Sequence, residues 1–525
     1  MKYFNITGLC VPWKHYMVDI SGKIAEIMKL IERESYFTMN RGRQYGKTTT
    51  LFALHNTLLG EYVPISISFE GVGDESFSSE EKFCYMFITL IVKALEFAEV
   101  EKNYIDAWAG ADAPDFISLG SHITKMSKSK KLVLMIDEVD SSSNNSLFLR
   151  FLGLLRNKFL ARGSGRDFTF HSVILAGVTD IRNLKAKISS EESSFAVGED
   201  KKLYNSPWNI AVSFDVNMSF NSNEIASMLL EYEADHNTGM HIESISGEIY
   251  SFTSGYPALV SGLCKFIDES LEKNWSIKGV HEAVKMLIYR HNMLLDDLGK
   301  NIANHQSLYK LLYSILIIGE RIKYVPTTPE FMLASMYGYL RGDENENAIV
   351  SNRIFEIFLC DYFNSRDEYA QKINTRSHYV LTRDVVADGR FDMELCLRKF
   401  AGHYAELFSK QDEEFFERHC RVLFLSYIIP LINGKGFYHL ESQFTDTRRM
   451  DLVVDFGQDQ FIIELKIWRG ETAQEKAYDQ LLGYMDSKKA QCGYLVTFDF
   501  RKEQNKIRKA EWVDIGSKRI FDVIV

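Results

Sequence analysis

The sequence predicts an α/β protein of several domains, and three observations carry that expectation. Its 525 residues are too many for one hydrophobic core, and at roughly 100–200 residues per domain they suggest about three. Up to about residue 220, short β-rich runs (SYFTMN, YVPISISF, KLVLMIDEV, HSVILAGV) alternate with helical ones, the rhythm of crossover units in a parallel sheet. The last 140 or so residues set out a second, smaller α/β pattern.

Taken in order, residues 1–221 form the first α/β core. Residues 222–304 read as mainly helical, with apolar residues at three- and four-residue spacing in NEIASMLLEYEADH and HEAVKMLIYRHNMLLDDLGKNI, and suggest a lid. Residues 305–385 continue with helices and then SHYVLTRD, a size and order that fit a small winged-helix unit. Residues 386–525 begin with the helical run DEEFFERHCRVLFLSYIIPLI at 412–432. Strand-like runs follow at 436–444, 450–456 and 460–468, then a helix at 472–486 and a strand at 493–499.

The net charge of -10 argues against a surface coated in positive potential, so nucleic-acid contact is expected only at local basic stretches. One such stretch is Arg501, Lys502, Lys506, Arg508 and Lys509, which reads more simply as a solvated helix face. The N-terminal run lacks an apolar core followed by a small-residue cleavage site, so no export is expected. The most apolar window, LLYSILIIG from Leu311, falls short of the ~20 residues of a membrane helix and reads as a buried one. Seven scattered cysteines, an odd number without close pairs, fit free thiols in a reducing cytoplasm.

YFTMNRGRQYGKTTTLFAL sets a strand, a short basic loop and a helix in the order that phosphate binding requires. Gly42 and Gly46 let backbone approach the phosphates, Lys47 can reach the β and γ oxygens, and Thr48 can coordinate magnesium. Thr49 follows in the first helical turn, whose free amides and dipole favour an anion. In KKLVLMIDEVD, the run Leu132–Ile136 reads as a buried parallel strand that ends in Asp137 and Glu138. Asp137 would hold magnesium through water, and Glu138 would orient and deprotonate the attacking water. A third strand, SVILAGVTD, ends in Thr179, a candidate sensor of the γ-phosphate or an ordinary polar strand end. TSGYPALV at 253–260 is either a lid turn touching nucleotide or a helix start with Pro257 in its first turn.

These motifs resemble the AAA-like P-loop ATPases of bacteria and archaea, whose loop reads arginine, proline, two arginines, an aromatic, then glycine-lysine. The run here is Arg41, Gly42, Arg43, Gln44, Tyr45, Gly46, Lys47, with glycine in place of the family's proline. The resemblance implies an ATPase related to the signal-transducing STAND and archaeal ATPase groups, often followed by a nuclease-like C-terminal domain. Arg41 and Arg43 are candidate arginine fingers by proximity.

In DQFIIELKIWRG, Glu464 and Lys466 interrupt an apolar strand and share one of its faces. Upstream, TRRMDLVVDF reads as a strand with Asp451, Val453 and Asp455 on one side; if the two strands pair, Asp451 and Glu464 can meet. Two carboxylates and a backbone carbonyl make a hard-oxygen site suited to magnesium or manganese. Lys466 beside it can position or help deprotonate a water and offset charge on a phosphate. The plain alternative is a buried Lys466–Glu464 ion pair that serves packing.

The order helix, strand, strand with Asp451, strand with Glu464-x-Lys466 and helix with Gln480 resembles the PD-(D/E)XK nuclease superfamily over about residues 410–500. Position by position, the resemblance implies metal and catalytic roles for Asp451, Glu464 and Lys466. Gln480 matches the helix glutamine, and Glu417 the first-helix acid, with Glu414 and Glu441 as rivals. Met450 stands where the usual proline precedes the aspartate. Arg448 and Arg449 are candidate phosphate contacts or solvated charges.

The sequence therefore points to a cytoplasmic ATPase whose nucleotide state controls a metal-dependent endonuclease domain acting on DNA rather than RNA. No membrane contact is expected, and self-association into a homo-oligomer is an open expectation. For such families, defence against phage or mobile-element biology is an implication. The alternative is a nucleotide-operated switch or DNA-binding regulator whose nuclease-like domain does not cleave.

Overall fold

The computed structural model describes residues 2–139, 145–177, 208–290, 292–318, 320, 322–366, 385–387, 390–407, 424–425, 427–429, 431–432, 436–439, 452–457, 459–499, 501 and 507–525. They pack as two compact units, one of Met1–Leu287 with Met332–Gly338 and one of Ile288–Phe331 with Tyr339–Val525.

The first unit is built on four parallel strands, β1 (Tyr36–Asn40), β2 (Val63–Ser68), β3 (Leu132–Asp137) and β4 (Ser172–Gly177), in the spatial order β1-β4-β3-β2. Strands β3 and β4 are buried along their whole length, as continuous apolar runs covered on both faces must be. Helices α1 (Ser21–Glu32) and α2 (Lys47–Leu58) supply Ile27, Ile31, Leu54 and Leu58 to the core on one face, with Phe37, Met39, Val133 and Ile174 of the strands. The other face is covered by α3 (Glu80–Leu95), α5 (Phe116–Ser127) and α6 (Ser146–Gly163), with α4 (Lys102–Ala109) adding Trp108. A parallel bridge between Phe37 and Val212 extends the sheet beyond β1.

Four helices follow, α7 (Ser222–His236), α8 (Ile242–Thr253), α9 (Pro257–Ser270) and α10 (Ile277–Tyr289), as the three- and four-residue spacing predicts. Asn221 and Glu224 close a reciprocal capping box at the start of α7. TSGYPALV resolves as a helix start with Pro257 in the first turn of α9. Gly255 before it has φ 72°, and a Cβ there would lie 1.7 Å from the Phe220 carbonyl oxygen, so only glycine fits.

The second unit contains α11 (Met293–Asn304), α12 (Gln306–Tyr313) and α14 (Arg353–Arg366), with α13 (Pro329–Met336) lying between α12 and the ribbon that follows in sequence. The apolar window from Leu311 completes α12 and continues as a π-helical turn, Ser314–Ile318, in which Ile315 and Leu316 are buried. Strands β5 (Leu340–Gly342) and β6 (Ala348–Val350) form an antiparallel ribbon whose turn is closed by Asp343, which accepts from the backbone of Asn345 and Asn347. A second small ribbon pairs β7 (Val386–Ala387) with β8 (Arg390–Phe391) and leads into α15 (Met393–Leu407). SHYVLTRD and most of DEEFFERHCRVLFLSYIIPLI lie outside the described residues.

The C-terminal sheet has six strands in the order β13-β14-β12-β11-β10-β9, with β9 Gly436–His439, β10 Leu452–Phe456, β11 Asp459–Ile467, β12 Cys492–Phe498, β13 Lys509–Ile515 and β14 Lys518–Ile524. The pairs β11–β12 and β12–β14 are parallel and the others antiparallel. Helix α16 (Glu471–Ser487) crosses one face and packs Ala477, Leu481, Tyr484 and Met485 onto Val453, Ile462, Leu495 and Ile520. Of the basic stretch at 501–509, Arg501 sits in a bend and Lys509 opens β13, while 502–506 lie outside the described residues. The hairpin β13–β14 completes the sheet, and the apolar run of KRIFDVIV supplies its inner strand.

Among the described residues, no helix is long and apolar enough to cross a membrane. All described cysteines are free thiols, and Cys420 lies outside the described residues.

Candidate nucleotide site and candidate nuclease site

The phosphate loop runs from the end of β1 into α2. Gly46 occupies its last position with φ 77°, a conformation glycine adopts without strain, and Lys47 begins the helix. The Lys47 side chain is buried, and its Nζ donates to the Arg41 and Gly42 carbonyls, both at 3.0 Å. Thr48 Oγ1 donates to Asp137 Oδ2 at 2.7 Å, which joins the first turn of α2 to the carboxyl end of β3. Asp137 Oδ1 accepts the Glu138 amide at 2.9 Å, and Glu138 itself has φ 52°, a left-handed turn directly after the strand. Thr49 faces elsewhere: its hydroxyl accepts the Cys10 amide at 3.2 Å, tying the N-terminal segment to α2.

Gly42 stands where the resembled loop carries proline, and its surroundings give a reason. A Cβ there would meet the Tyr337 carbonyl oxygen at 3.0 Å, so the loop backbone packs closely. Tyr256, at the start of α9, donates its hydroxyl to the Arg43 carbonyl at 2.6 Å and meets the Tyr45 ring edge-on. The turn at 253–260 thus touches the phosphate loop as well as starting a helix. Arg41, a finger candidate, donates its guanidinium to the Asn40 and Val216 carbonyls and lies over the Phe214 ring. Burial there pushes its pKa below the usual arginine value. Held this way, Arg41 ties the end of β1 to Phe214 and Val216.

In the C-terminal sheet, Glu464 and Lys466 lie on the face that α16 covers. Glu464 pairs with Leu495, which pairs with Asp522, and Lys466 pairs with Thr497. The Glu464 carboxylate is fully buried, and Lys466 Nζ lies 2.6 Å from its Oε1 while remaining partly exposed. The last described pair of the β10–β11 ladder is Leu452 with Ile463, immediately before Asp451 in one reading direction and Glu464 in the other. Gln480 is half-buried on α16 and donates to the Tyr484 hydroxyl at 3.3 Å.

Sequence reasoning missed a second polar group on this face. Asp522 is buried and accepts from Gln474 at 3.1 Å and from Tyr478 at 2.5 Å, and Lys509 lies 3.1 Å away. Gln474 in turn accepts from the buried Thr497 hydroxyl at 3.1 Å. Burial, then the hydrogen bond and charge of Asp522, push the Tyr478 hydroxyl up to about 12. Burial opposes the charge on Lys509, but its bonds to Asp522 and Glu511 outweigh that and raise its pKa. The signal was present: Asp522 interrupts an apolar strand just as Glu464 does.

Asp451, Glu417, Glu414, Glu441, Arg448, Arg449 and Thr179 lie outside the described residues. Among the described residues, no three histidines, cysteines or acids gather as a metal site would require. Glu464 offers one hard-oxygen donor, and Thr48 with Asp137 offers an oxygen pair suited to magnesium beside a phosphate loop.

Two family models match the sequence. A family model described as "AAA-like domain" matches residues 25–361, and one described as "PD-(D/E)XK nuclease superfamily" matches residues 437–510. No curated protein matches the sequence. Among solved structures, the Walker-type ATPase paby2304 of Pyrococcus abyssi aligns with TM-score 0.45 and 11% identity, over 68% of this chain and 99% of that one. The Aeropyrum pernix ORC2 protein aligns with TM-score 0.30 and 12% identity, over 68% and 97%. With a phosphate loop joined to Asp137 in one unit and Glu464-x-Lys466 on the mixed sheet of the other, the chain belongs to the AAA-like domain family and carries a C-terminal PD-(D/E)XK nuclease-superfamily domain.

Proposed function

We propose that this protein binds and hydrolyses ATP at Lys47, Thr48 and Asp137, and that its nucleotide state controls a metal-dependent DNA endonuclease centred on Glu464 and Lys466. The observation that carries the nuclease reading is the pairing of a carboxylate with a partly exposed ammonium 2.6 Å away, on the strand that holds the superfamily's motif. A structural ion pair gains little from burial, because removing charges from water costs several kcal/mol per ion, roughly what their attraction returns. A site that must hold a cation and an anionic substrate has another reason to keep them.

At the nucleotide site, Lys47 would exchange its two loop carbonyls for phosphate oxygens, and Thr48 with Asp137 would hold magnesium. Glu138 would take a proton from water. At the nuclease site, Glu464 and Asp451 would hold magnesium or manganese, which supplies Lewis-acid stabilisation of a phosphate and a more acidic bound water. Lys466 would turn from Glu464 toward the phosphate. Gln480 would orient the site from α16, and Glu417 is the candidate acid from the first helix. A role in phage defence or mobile-element biology is the setting that the resemblance to such families suggests.

The test is a panel of DNA and RNA substrates with magnesium or manganese, with and without ATP, using wild type, Asp451→Ala and Lys47→Ala. Metal-dependent DNA cleavage lost in Asp451→Ala supports the nuclease. ATP dependence lost in Lys47→Ala supports control by nucleotide, whereas unchanged ATP dependence in that variant refutes it. The full burial of Glu464 favours a second reading, a nucleotide-operated DNA-binding regulator that does not cut. Absence of cleavage with either metal and any nucleotide would select it.

A further inference from the structure

Beyond the carboxylate and ammonium of the candidate nuclease site, the carboxyl ends of β11 and β12 carry an ordered cation and an aromatic ring. The β11–β12 ladder continues past Ile467 through the Trp468 amide, which donates to the Phe498 carbonyl at 2.9 Å. One residue past the end of β12, Asp499 is buried with 1% exposure. Its carboxylate accepts from the Arg501 guanidinium in a two-point contact, Nε to Oδ1 at 3.0 Å and Nη2 to Oδ2 at 2.7 Å, and also from the Arg501 and Ile507 amides. Burial works against this charge, but the bonds from Arg501 and Ile507 prevail and hold Asp499 below the usual carboxylate range. Arg501 is therefore fixed in place by a buried anchor.

The held guanidinium lies over the Trp468 ring, 4.9 Å from its centroid. Its side chain is 39% exposed, and its Nη1 makes no hydrogen bond among the described residues. Arg469, next to Trp468 in sequence, is exposed, and Lys466 lies two residues before Trp468. Planar guanidinium forks match phosphate oxygens, and an indole offers a base or sugar a stacking surface of any sequence. Surface arginines are ordinarily mobile; the buried Asp499 removes that entropy cost in advance.

We propose that Trp468 and Arg501 form a contact for a nucleic-acid strand, with the outer edge of Arg501 binding a backbone phosphate and Trp468 carrying the adjoining base or sugar. The inference rests on the nuclease reading for its ligand class, and it adds the residues that grip the strand beside the reacting centre. The platform selects no sequence, because neither group reads base edges.

The test measures binding of a fluorescein-labelled single-stranded oligonucleotide and its duplex to the full chain by anisotropy, in EDTA so that no cleavage intervenes. Trp468→Ala leaves the Asp499–Arg501 pair in place and is expected to weaken single-strand binding roughly 5- to 100-fold. Arg501→Lys keeps a charge for Asp499 but loses the fork; it is expected to weaken binding and to reduce the salt slope by up to about one phosphate contact. Wild-type binding with both variants unchanged would overturn the platform and leave the nuclease reading intact. If wild type cleaves DNA yet both variants keep its KM and differ only in thermal stability, the platform is likewise overturned. A wild type that neither binds nor cleaves any nucleic acid would overturn both.

Discussion

Thr48 Oγ1 and Asp137 Oδ2 stand 2.7 Å apart, so the phosphate loop and the acidic strand end are already joined through the atoms that would share a magnesium ion. Lys47 is poised in the same way, its ammonium held by the loop carbonyls of Arg41 and Gly42. These are the bonds that phosphate oxygens would replace under the proposed role. Lys47→Ala should lose at least tenfold in ATP affinity, and saturating ATP should then no longer raise its melting temperature. Glu138→Gln should keep ATP binding and lose turnover. A thermal-shift titration paired with a phosphate-release assay separates these outcomes; ATP stabilising Lys47→Ala as it does wild type would contradict the assignment.

The Glu464–Lys466 pair can be tested for chemistry against packing. Glu464→Gln keeps shape and volume, so a purely structural pair predicts a modest stability change and nothing else. The nuclease reading predicts loss of cleavage by on the order of 100-fold or more at nearly unchanged melting temperature, as for removal of a group acting on developing charge. Lys466→Met should lose cleavage as well, its aliphatic stem retained and its charge gone, and it should also melt lower, because the buried Glu464 carboxylate loses its cation. Cleavage that survives both variants would reduce the pair to packing.

Asp522 anchors α16 to the sheet through Gln474, Tyr478 and Lys509, and its burial makes the arrangement costly to break. Asp522→Ala takes the acceptor from Gln474 and Tyr478 and leaves the partly exposed Lys509 with Glu511 alone, and should cost about 1–3 kcal/mol. Gln474→Ala, which leaves the charge pair intact, should cost about 1–3 kcal/mol through the unmet hydrogen bonds of Thr497 and Asp522. Thermal unfolding of the two single variants and the double variant measures this. Because the residues share one network, the double variant should lose less than the sum.

Much of this was legible in the sequence because the signals were local. A strand-loop-helix with Gly46-Lys47-Thr48, a strand ending in Asp137 and a polar pair in an apolar strand each place chemistry within a few residues of the element that carries it. What escaped was long-range. Asp522 meets Gln474 across 48 positions, and Arg501 meets Trp468 only because β11 and β12 are parallel neighbours, a pairing that hydropathy patterns do not register. Within the basic run at 501–509, the binding of Arg501 to the buried Asp499 was equally out of reach, since composition does not show which charge is held and which is solvated. The role of Arg41 was also hidden, since Val216, its carbonyl partner, lies 175 positions away.

A last prediction concerns Asp361 on α14, whose carboxylate accepts the Tyr289 hydroxyl at 2.9 Å and the Tyr438 hydroxyl of β9 at 3.5 Å. Burial raises its pKa from 3.8 to about 6, and the two tyrosine hydrogen bonds only partly counter it. The folded state therefore binds this proton more tightly than the unfolded chain. Its stabilising contribution is complete below about pH 4, the unfolded value, and is lost as pH rises through about 6. A shift of this size corresponds to about 3 kcal/mol, on the order of one strong buried interaction. Asp361→Asn, which cannot ionise, should melt higher than wild type at pH 8, and the gap should shrink at pH 5. Thermal scans of both proteins at the two pH values decide it: a gap that stays constant, or widens toward pH 5, would show that Asp361 does not titrate in this window.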